Sequence, residues 1–393
     1  MSNKVQKKER YEALDILRGL TMVIMALDHA RDFFALDFVL SSPTNLEVTN
    51  LEVFLTRWIT HFAAPTFIFL AGIGLFFASG RRTKSQLATL AITRGIWLIF
   101  LELTFVGFFW CFSNDFIYEP KIAVLFAIGL AMIAMGGIIY LPKYLIAVLA
   151  AFLILGHNMF DSVDPYLFGD YAWIWNILHE PGTFAVGDVE FRVVYPIMPW
   201  IGVMALGYLF GPVTKMARET RKKIFFIVGL SFFITAFALR WGNIYGDAEL
   251  WAMQPTLDYT IMSFLNFTKY PPSMIYLLFL IGCAMIIMGM LDRPLGRWAN
   301  PLKTFGQVPF FFYILHIPIL HAAGVALALY TFGDASWLLQ APLGENPIGY
   351  SYGGYELLPT YVAWISVVVI LYFPSRWFAN LKATRKDWWL SYF

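Results

Sequence analysis

The sequence predicts an all-α fold, a polytopic transmembrane helical bundle of about 10 spans. Three observations predict it. The 393 residues are 59% hydrophobic and only 14% charged, where soluble domains carry about 25% charge. Several apolar runs approach or exceed about 18 residues, the length that signals a spanning helix. The basic residues alternate from loop to loop, as the positive-inside rule requires of a chain threaded repeatedly through a bilayer.

The elements follow in order. Spans are drawn at 12–35, 55–79, 87–112, 121–140, 143–160, 193–212, 223–241, 272–291, 304–331 and 359–380. With the N-terminus in the cytoplasm, the inside segments hold Lys4, Lys7, Lys8 and Arg10; Arg81, Arg82 and Lys84; Lys143; Lys215, Arg218, Arg221, Lys222 and Lys223; Arg293, Arg297 and Lys303; and Arg376, Lys382, Arg385 and Lys386. That is 20 of the 28 basic residues. The outside segments hold Lys121, Arg192, Arg240 and Lys269. An even number of spans returns both termini to the cytoplasm, residues 1–11 as a basic tail and 381–393 as a second tail. Charged residues interrupt the first apolar run and no small-residue cleavage site follows, so no cleavable signal peptide is read. The outside loops 36–54, 157–192, 242–271 and 332–358 are long and acidic or aromatic. The inside loops are short and basic. No internal repeat or inserted soluble domain is visible, and residues 1–393 read as a single membrane domain.

Cys111 and Cys283 sit in or at the ends of apolar runs and form neither a disulfide framework nor a metal site. No glycine-rich phosphate loop, zinc spacing or nucleophile elbow occurs. Neither a metal nor a nucleic acid is expected as a partner.

The candidate functional residues are the ionisable groups at membrane depth, where charge is expensive and marks function. The first run, RYEALDILRGLTMVIMALDHARDFF, carries Asp15, Arg18, Asp28, His29, Arg31 and Asp32. Arg18 and His29 are eleven residues apart, about three full turns, so they share a helix face roughly 16 Å apart along the axis. The second run, TRWITHFAAPTFIFLAG, places Arg57 and His61 near the outer face, with Pro65 disturbing the turn at His61. The third holds Arg94 and Glu102, two turns apart. A carboxyl at that depth is neutral or paired, and Arg94 or Arg18 is the obvious cation. The ninth, PFFFYILHIPILHAAG, holds His316 and His321 around Pro318. Five of the six histidines (His29, His61, His157, His179 and His321) fall toward the outer side, which suits proton transfer there. Trp173 and Trp175 in loop 157–192 belong either to the interfacial belt or to a sugar-stacking platform.

At LDILRGL…DH the pattern becomes specific. An Arg, ten residues, then a His in the first span resembles the signature of the acyltransferase-three membrane acyltransferases. The wider pattern more closely resembles the heparan-alpha-glucosaminide N-acetyltransferase family. The matching pieces are ALDILRGLTMVIMALDHARDFF, THFAAPTFIFLAG, ITRGIWLIFLELT, YPIMPWIGVMALGYLFG, KYPPSMIYLLFLIG and GQVPFFFYILHIPILH, which together cover all but the fourth, fifth, seventh and tenth spans. The resemblance implies an enzyme that takes acetyl-CoA from the cytosol and acetylates a sugar on the far side. It departs from the lysosomal enzyme in having His29 where that protein has Asn, and in lacking a histidine in loop 36–54. Either His29 or His61 therefore takes the catalytic role.

On this reading, acetyl-CoA is the cosubstrate and the chain is an acyl-CoA-dependent acetyltransferase. The basic inner surface, with Arg18 and Arg94, receives the CoA nucleotide by charge-assisted contacts. His29 deprotonates the acceptor or transiently carries the acetyl group. Asp28 or Asp32 orients His29, or else pairs with Arg31. Arg57, Glu102, His316, His321 and Trp173 are candidate acceptor contacts, with His316 filling mainly a packing role. The acceptor is a carbohydrate or amino sugar, the setting a lipid bilayer of a bacterial inner membrane, and a homodimer is open. The competing class is a secondary transporter or channel for a small polar or anionic solute, since ten spans, buried charges and proline-broken helices fit that too. The topology has a direct test. Cysteines introduced at Trp175 and Glu345 should label only from the outer side, and labelling of either from the cytoplasm would overturn the arrangement.

Overall fold

The computed structural model describes residues 11–34, 43–340, 357–385 and 387–392. Lys4, Lys7, Lys8, Arg10, Lys386 and the labelling position Glu345 lie outside the described residues, as do 36–42 and 341–356 of two outer loops.

Apolar chain in hydrocarbon must satisfy its backbone groups within the segment, and the helix is the local way to do it. The chain accordingly forms α1 (Glu12–Phe34), α2 (Leu51–Thr60), α3 (Ala63–Ser79), α4 (Lys84–Leu101), α5 (Gly107–Cys111), α6 (Val124–Ile138), α7 (Lys143–Ala151), α8 (Ala172–Leu178), α9 (Met198–Phe210), α10 (Arg218–Gly242), α11 (Leu257–Leu265), α12 (Met274–Leu291), α13 (Asn300–Gln307), α14 (Pro309–Phe332) and α15 (Leu357–Thr384). The result is an all-α membrane bundle. Among the described residues, seven helical stretches are long and apolar enough to cross a membrane: Leu51–Ser79, Lys84–Cys111, Lys143–Phe160, Arg218–Gly242, Met274–Leu291, Pro309–Phe332 and Leu357–Thr384. The ten drawn from sequence also include α1, whose charges set it apart, and α6 and α9, with 15 and 13 residues. The last two are shorter than the roughly 20 residues a perpendicular crossing needs.

The breaks have chemical causes. Between α2 and α3 the helix pauses at His61 and Phe62. Pro65 has no N–H to give the His61 carbonyl, and the Tyr276 hydroxyl donates to that carbonyl instead, at 2.9 Å. Pro309 begins α14 after Val308 leaves helical geometry, whereas Pro318 is carried inside α14. Short π-helical turns, Glu102–Val106 and Phe152–Gly156, follow α4 and α7. Asn50 caps α2 by accepting from the Val53 N–H at 2.9 Å, and Thr83 with Gln86 forms a capping box on α4.

The loops hold a small sheet that the helical periodicity did not predict. β1 (Lys121–Ile122) lies parallel to β3 (Val189–Val193), which pairs antiparallel with β2 (Gly182–Val186). A two-residue turn, Gly187–Asp188, joins β2 to β3, and Gly187 takes a φ of +62°. The signal in the sequence is a Gly-Asp pair between alternating segments.

Helices pack in pairs, α10 on α12, α4 on α6, α3 on α9 and α1 on α13. Lipid gives helices no hydrophobic reason to associate, so close backbone approach at small residues does that work. The α1–α13 contact is the tightest. A Cβ added at Gly19 would stand 1.8 Å from the Leu302 carbonyl oxygen, and one at Gly306 would stand 1.7 Å from that of Asp15. Both clashes are with backbone, so no rotamer relieves them. Gly306→Ala should therefore lower the melting temperature of detergent-purified protein markedly, since overpacking costs typically about 1–3 kcal/mol. Gly137→Ala, where an added Cβ meets nothing within 4 Å, should leave it unchanged. Equal melting temperatures for all three proteins would refute the tight α1–α13 seam.

Candidate active site

α1 arranges its charges in two groups. Near its start, Arg18 Nη1 donates to Asp15 at 3.3 Å and to the Gly306 carbonyl at 3.0 Å. That carbonyl is at the C-terminal end of α13, where intrahelical donors run out and the helix dipole is negative. Farther along, the Asp28 carboxylate receives Arg57 Nη1 at 2.5 and 2.6 Å. Arg31 lies 3.1 Å from it and the Thr60 hydroxyl 2.9 Å. Arg31 also donates to Asp32 at 2.9 Å. Sequence reasoning left Asp28 or Asp32 either orienting His29 or pairing with Arg31. Both pair with Arg31, and Asp28 binds Arg57 as well, because a carboxylate taken out of water is stabilised best by full charge-assisted bonds.

His29 is oriented by another histidine. Its Nδ1 lies 2.6 Å from His316 Nε2, and His316 Nδ1 lies 2.5 Å from the Tyr313 carbonyl oxygen. A carbonyl only accepts, so His316 Nδ1 carries a hydrogen and donates. In neutral His316 the other nitrogen, Nε2, then accepts from His29 Nδ1–H. That leaves the lone pair of His29 on Nε2, the tautomer a general base needs. Trp110 meets the His29 ring edge-on with centroids 5.2 Å apart. His316 is fully buried. It is thus a direct partner of His29, beyond the packing role expected of it.

Two cavities meet at His29. The larger, about 700 Å³, runs from Arg18, Gln307, Pro309 and Lys382 past Arg94 and Trp97 to Asp28, His29, Thr60, Tyr195 and Lys269. The smaller, about 420 Å³, is walled by Arg31, Asp32, Arg57, Glu102, Trp110, Glu119, Lys121 and Arg192. Asp28, His29, Tyr195 and Tyr313 line both. Both volumes fall within the ordinary range of small-molecule sites, roughly 300–1,000 Å³. Their electrostatics differ. Among the described residues, the larger is lined by Arg18, Arg94, Lys269 and Lys382 against Asp28. In the smaller, Asp28, Asp32, Glu102 and Glu119 face Arg31, Arg57, Lys121 and Arg192. Lys121 and Arg192 are register partners on β1 and β3. Burial and then the neighbouring Arg192 hold the Lys121 ammonium below its ordinary range.

The remaining candidates sort by position. Arg18, Arg94, Asp28 and His29 line the larger cavity, and Arg57 and Glu102 the smaller. Arg57 is committed to Asp28. Glu102 does not pair with Arg94. Its carboxylate accepts from the backbone N–H groups of Leu125 and Phe126, at 2.7 and 3.3 Å, and so caps α6. The open N–H groups at a helix start offer a buried carboxylate better geometry than a guanidinium two turns away. His61 lines neither cavity. Its ring is buried against Tyr276, and Nδ1 has no hydrogen-bond partner among the described residues. His321 is clamped between the Phe109 and Leu338 carbonyls at 2.8 Å each and sandwiched by Phe33 and Phe112, a structural tie. Trp173 packs on Phe184 of the sheet, away from both cavities. Sequence reasoning assigned no site role to Lys269, Trp110, Tyr195 or Tyr313. The usable signals were the Lys269 charge, flagged as one of four outside basic residues, and the presence of Lys269, Tyr195 and Tyr313 in the family-matching pieces. No group of three or more potential metal-ligating side chains occurs among the described residues.

The family model described as heparan-alpha-glucosaminide N-acetyltransferase, catalytic, matches residues 10–241, more than half of the 393-residue chain. The chain belongs to this family. A search of curated proteins returned no match. Membership in the heparan-alpha-glucosaminide N-acetyltransferase family carries the coarse assignment, an acetyltransferase embedded in a membrane by its apolar helices. The match includes Arg18, Asp28, His29, Arg57, His61, Arg94, Glu102 and Trp173. His316, His321 and Lys269 lie beyond it.

The capping role of Glu102 is testable. Glu102→Ala should destabilise by about 0.5–2 kcal/mol, the usual cost of a lost N-terminal cap. A double-mutant cycle with Arg94→Ala should give a coupling near zero, below about 0.5 kcal/mol. A coupling of several kcal/mol in thermal or denaturant unfolding would restore the ion pair.

Proposed function

We propose that this protein passes an acetyl group from cytosolic acetyl-CoA to an amino sugar or other carbohydrate acceptor from the outer side of the membrane. The observation that carries the proposal is the position of His29, with its Nδ1 held by His316, where a cation-lined cavity meets a charge-balanced one. The larger cavity suits the anionic, elongated donor. Arg18 and Arg94 lie along its wall, and the end bearing Arg18 and Lys382 is cytoplasmic in the topology read from the basic loops. The smaller cavity, bounded by outer-loop residues Lys121 and Arg192 and lined by Trp110, Tyr270 and Gln340, offers a polar acceptor both donors and acceptors.

His29 Nε2 acts as general base on the acceptor amine or hydroxyl as that group attacks the thioester carbonyl. The proton it takes is then available to the departing CoA thiolate. His316 fixes the tautomer and ring orientation, and its own N–H is anchored on the Tyr313 carbonyl. Asp28 contributes to the local field while holding Arg57 and Arg31. The sheet and outer loops shape the acceptor side, and the integral membrane setting separates donor from acceptor, in keeping with a bacterial inner membrane.

His29→Ala should lower acetyl transfer by about 100- to 10,000-fold, the usual contribution of a general base, with acetyl-CoA affinity retained. His316→Ala should also slow transfer, and His61→Ala should leave the rate near wild type. These are read by acetyl-CoA consumption and calorimetry on purified protein. Normal turnover by His29→Ala would remove His29 from the chemistry. Wild-type protein that neither binds nor consumes acetyl-CoA would favour the transporter reading.

A further inference from the structure

Lys269 has no part in the chemistry described so far, yet its setting is unusual. It lies between α11 and α12 and is 8% exposed. It lines the larger cavity together with Asp28, His29, Thr60 and Tyr195. Among the described residues its ammonium makes no ion pair and no side-chain hydrogen bond. The ammonium lies over the ring of Tyr270, 5.1 Å from Nζ to the centroid. The nearby carboxylates are already matched, Asp28 by Arg57 and Arg31, and Asp32 by Arg31. Among the described residues the cluster holds three cations, Arg31, Arg57 and Lys269, and two carboxylates, Asp28 and Asp32, so Lys269 is the cation left over from these pairs. An ammonium withdrawn from water without a counter-charge is costly, so an anionic partner from outside the chain would complete it.

The lysine is also firmly mounted. Asp247 accepts from the Thr268 hydroxyl at 2.6 Å, the Thr268 N–H at 3.2 Å and the Ser273 hydroxyl at 2.9 Å, on either side of Lys269. Arg240 ties down the same loop by donating to the Ser263, Phe264 and Asn266 carbonyls, each at 2.9 Å. A charge on a rigid mount stabilises a developing opposite charge without reorganising first. Lys269 lines only the larger cavity, whereas His29 lines both. The ammonium is therefore on the donor side of the base.

From this geometry we infer that Lys269 holds the oxyanion formed when the acetyl thioester is attacked. This rests on the acetyl-transfer reading above. The acceptor nitrogen or oxygen bonds to the thioester carbonyl carbon while His29 Nε2 takes its proton. The carbonyl π electrons move onto oxygen, and that oxyanion is hydrogen-bonded by the Lys269 ammonium. The carbonyl re-forms, the C–S bond breaks with its electron pair on sulfur, and the CoA thiolate takes the proton from His29.

The test uses full-length protein in detergent and two stable thioethers, S-carboxymethyl-CoA, whose carboxylate mimics the oxyanion, and neutral S-ethyl-CoA. By calorimetry, wild type should bind the carboxylate at least about tenfold more tightly, and Lys269→Met should lose that preference while binding S-ethyl-CoA as before. Lys269→Met should also lower kcat about 100- to 1,000-fold, as loss of an oxyanion donor does, with KM for acetyl-CoA nearly unchanged. If Lys269→Met does not fold, Lys269→Gln takes its place. A wild type without preference, or a variant that keeps it, overturns the role of Lys269 while leaving acetyl transfer standing. A wild type that binds neither thioether and consumes no acetyl-CoA overturns both.

Discussion

A carboxylate buried in a membrane bundle must be paired, and the pairing of Asp28 is the constraint on which the site depends. Arg57 reaches it from α2 and Arg31 from α1, with the Thr60 hydroxyl alongside. Removing one member of such a pair costs typically about 3–5 kcal/mol, because the other charge is left buried alone. The ion pair therefore holds α2 against α1. It also decides what His29 can do. Successive helix residues point about 100° apart, so with Asp28 turned to α2 its neighbour is turned to α14 and the cavities. There His316 fixes it.

The site is a division of charge around one imidazole. Among the described residues the larger cavity carries an excess of cations, while the smaller is balanced. On the proposed acetyl-transfer reading, the excess of cations would draw an anionic donor to the larger cavity. The backbone supports this through close helix contacts at glycine. The Gly19–Gly306 seam brings α13 against α1, and the same approach lets Arg18 reach the Gly306 carbonyl beside the larger cavity.

Much of the fold was legible in the sequence. Spans follow from apolar length, and the break at His61 follows from Pro65. The shared face of Arg18 and His29 follows from helical periodicity, and both line one cavity. The small sheet was missed because its strands are short and lie in a loop read by composition. Seven of the drawn spans satisfy length and apolarity, because α6 and α9 end sooner than their apolar runs suggested and α1 is charged.

Partners were less legible than positions. Intrahelical spacing paired Glu102 with Arg94, but the carboxylate found the α6 N-terminus. Spacing offered Asp28 either His29 or Arg31; it pairs with Arg31, and with Arg57 of the next helix, which spacing within one helix does not record. The sequence by itself determined the membrane class, the family pattern and the shared face of Arg18 and His29 on the first helix, because hydropathy and helical period are local properties. Tertiary structure alone decided that His316, 287 residues away in the chain, fixes the tautomer of His29. It alone decided that Lys269 lines the larger cavity, that His61 and Trp173 line neither cavity, and that the two cavities share the wall that holds His29. Those outcomes depend on which buried charges find one another across helices, a competition for partners that no spacing within one helix records.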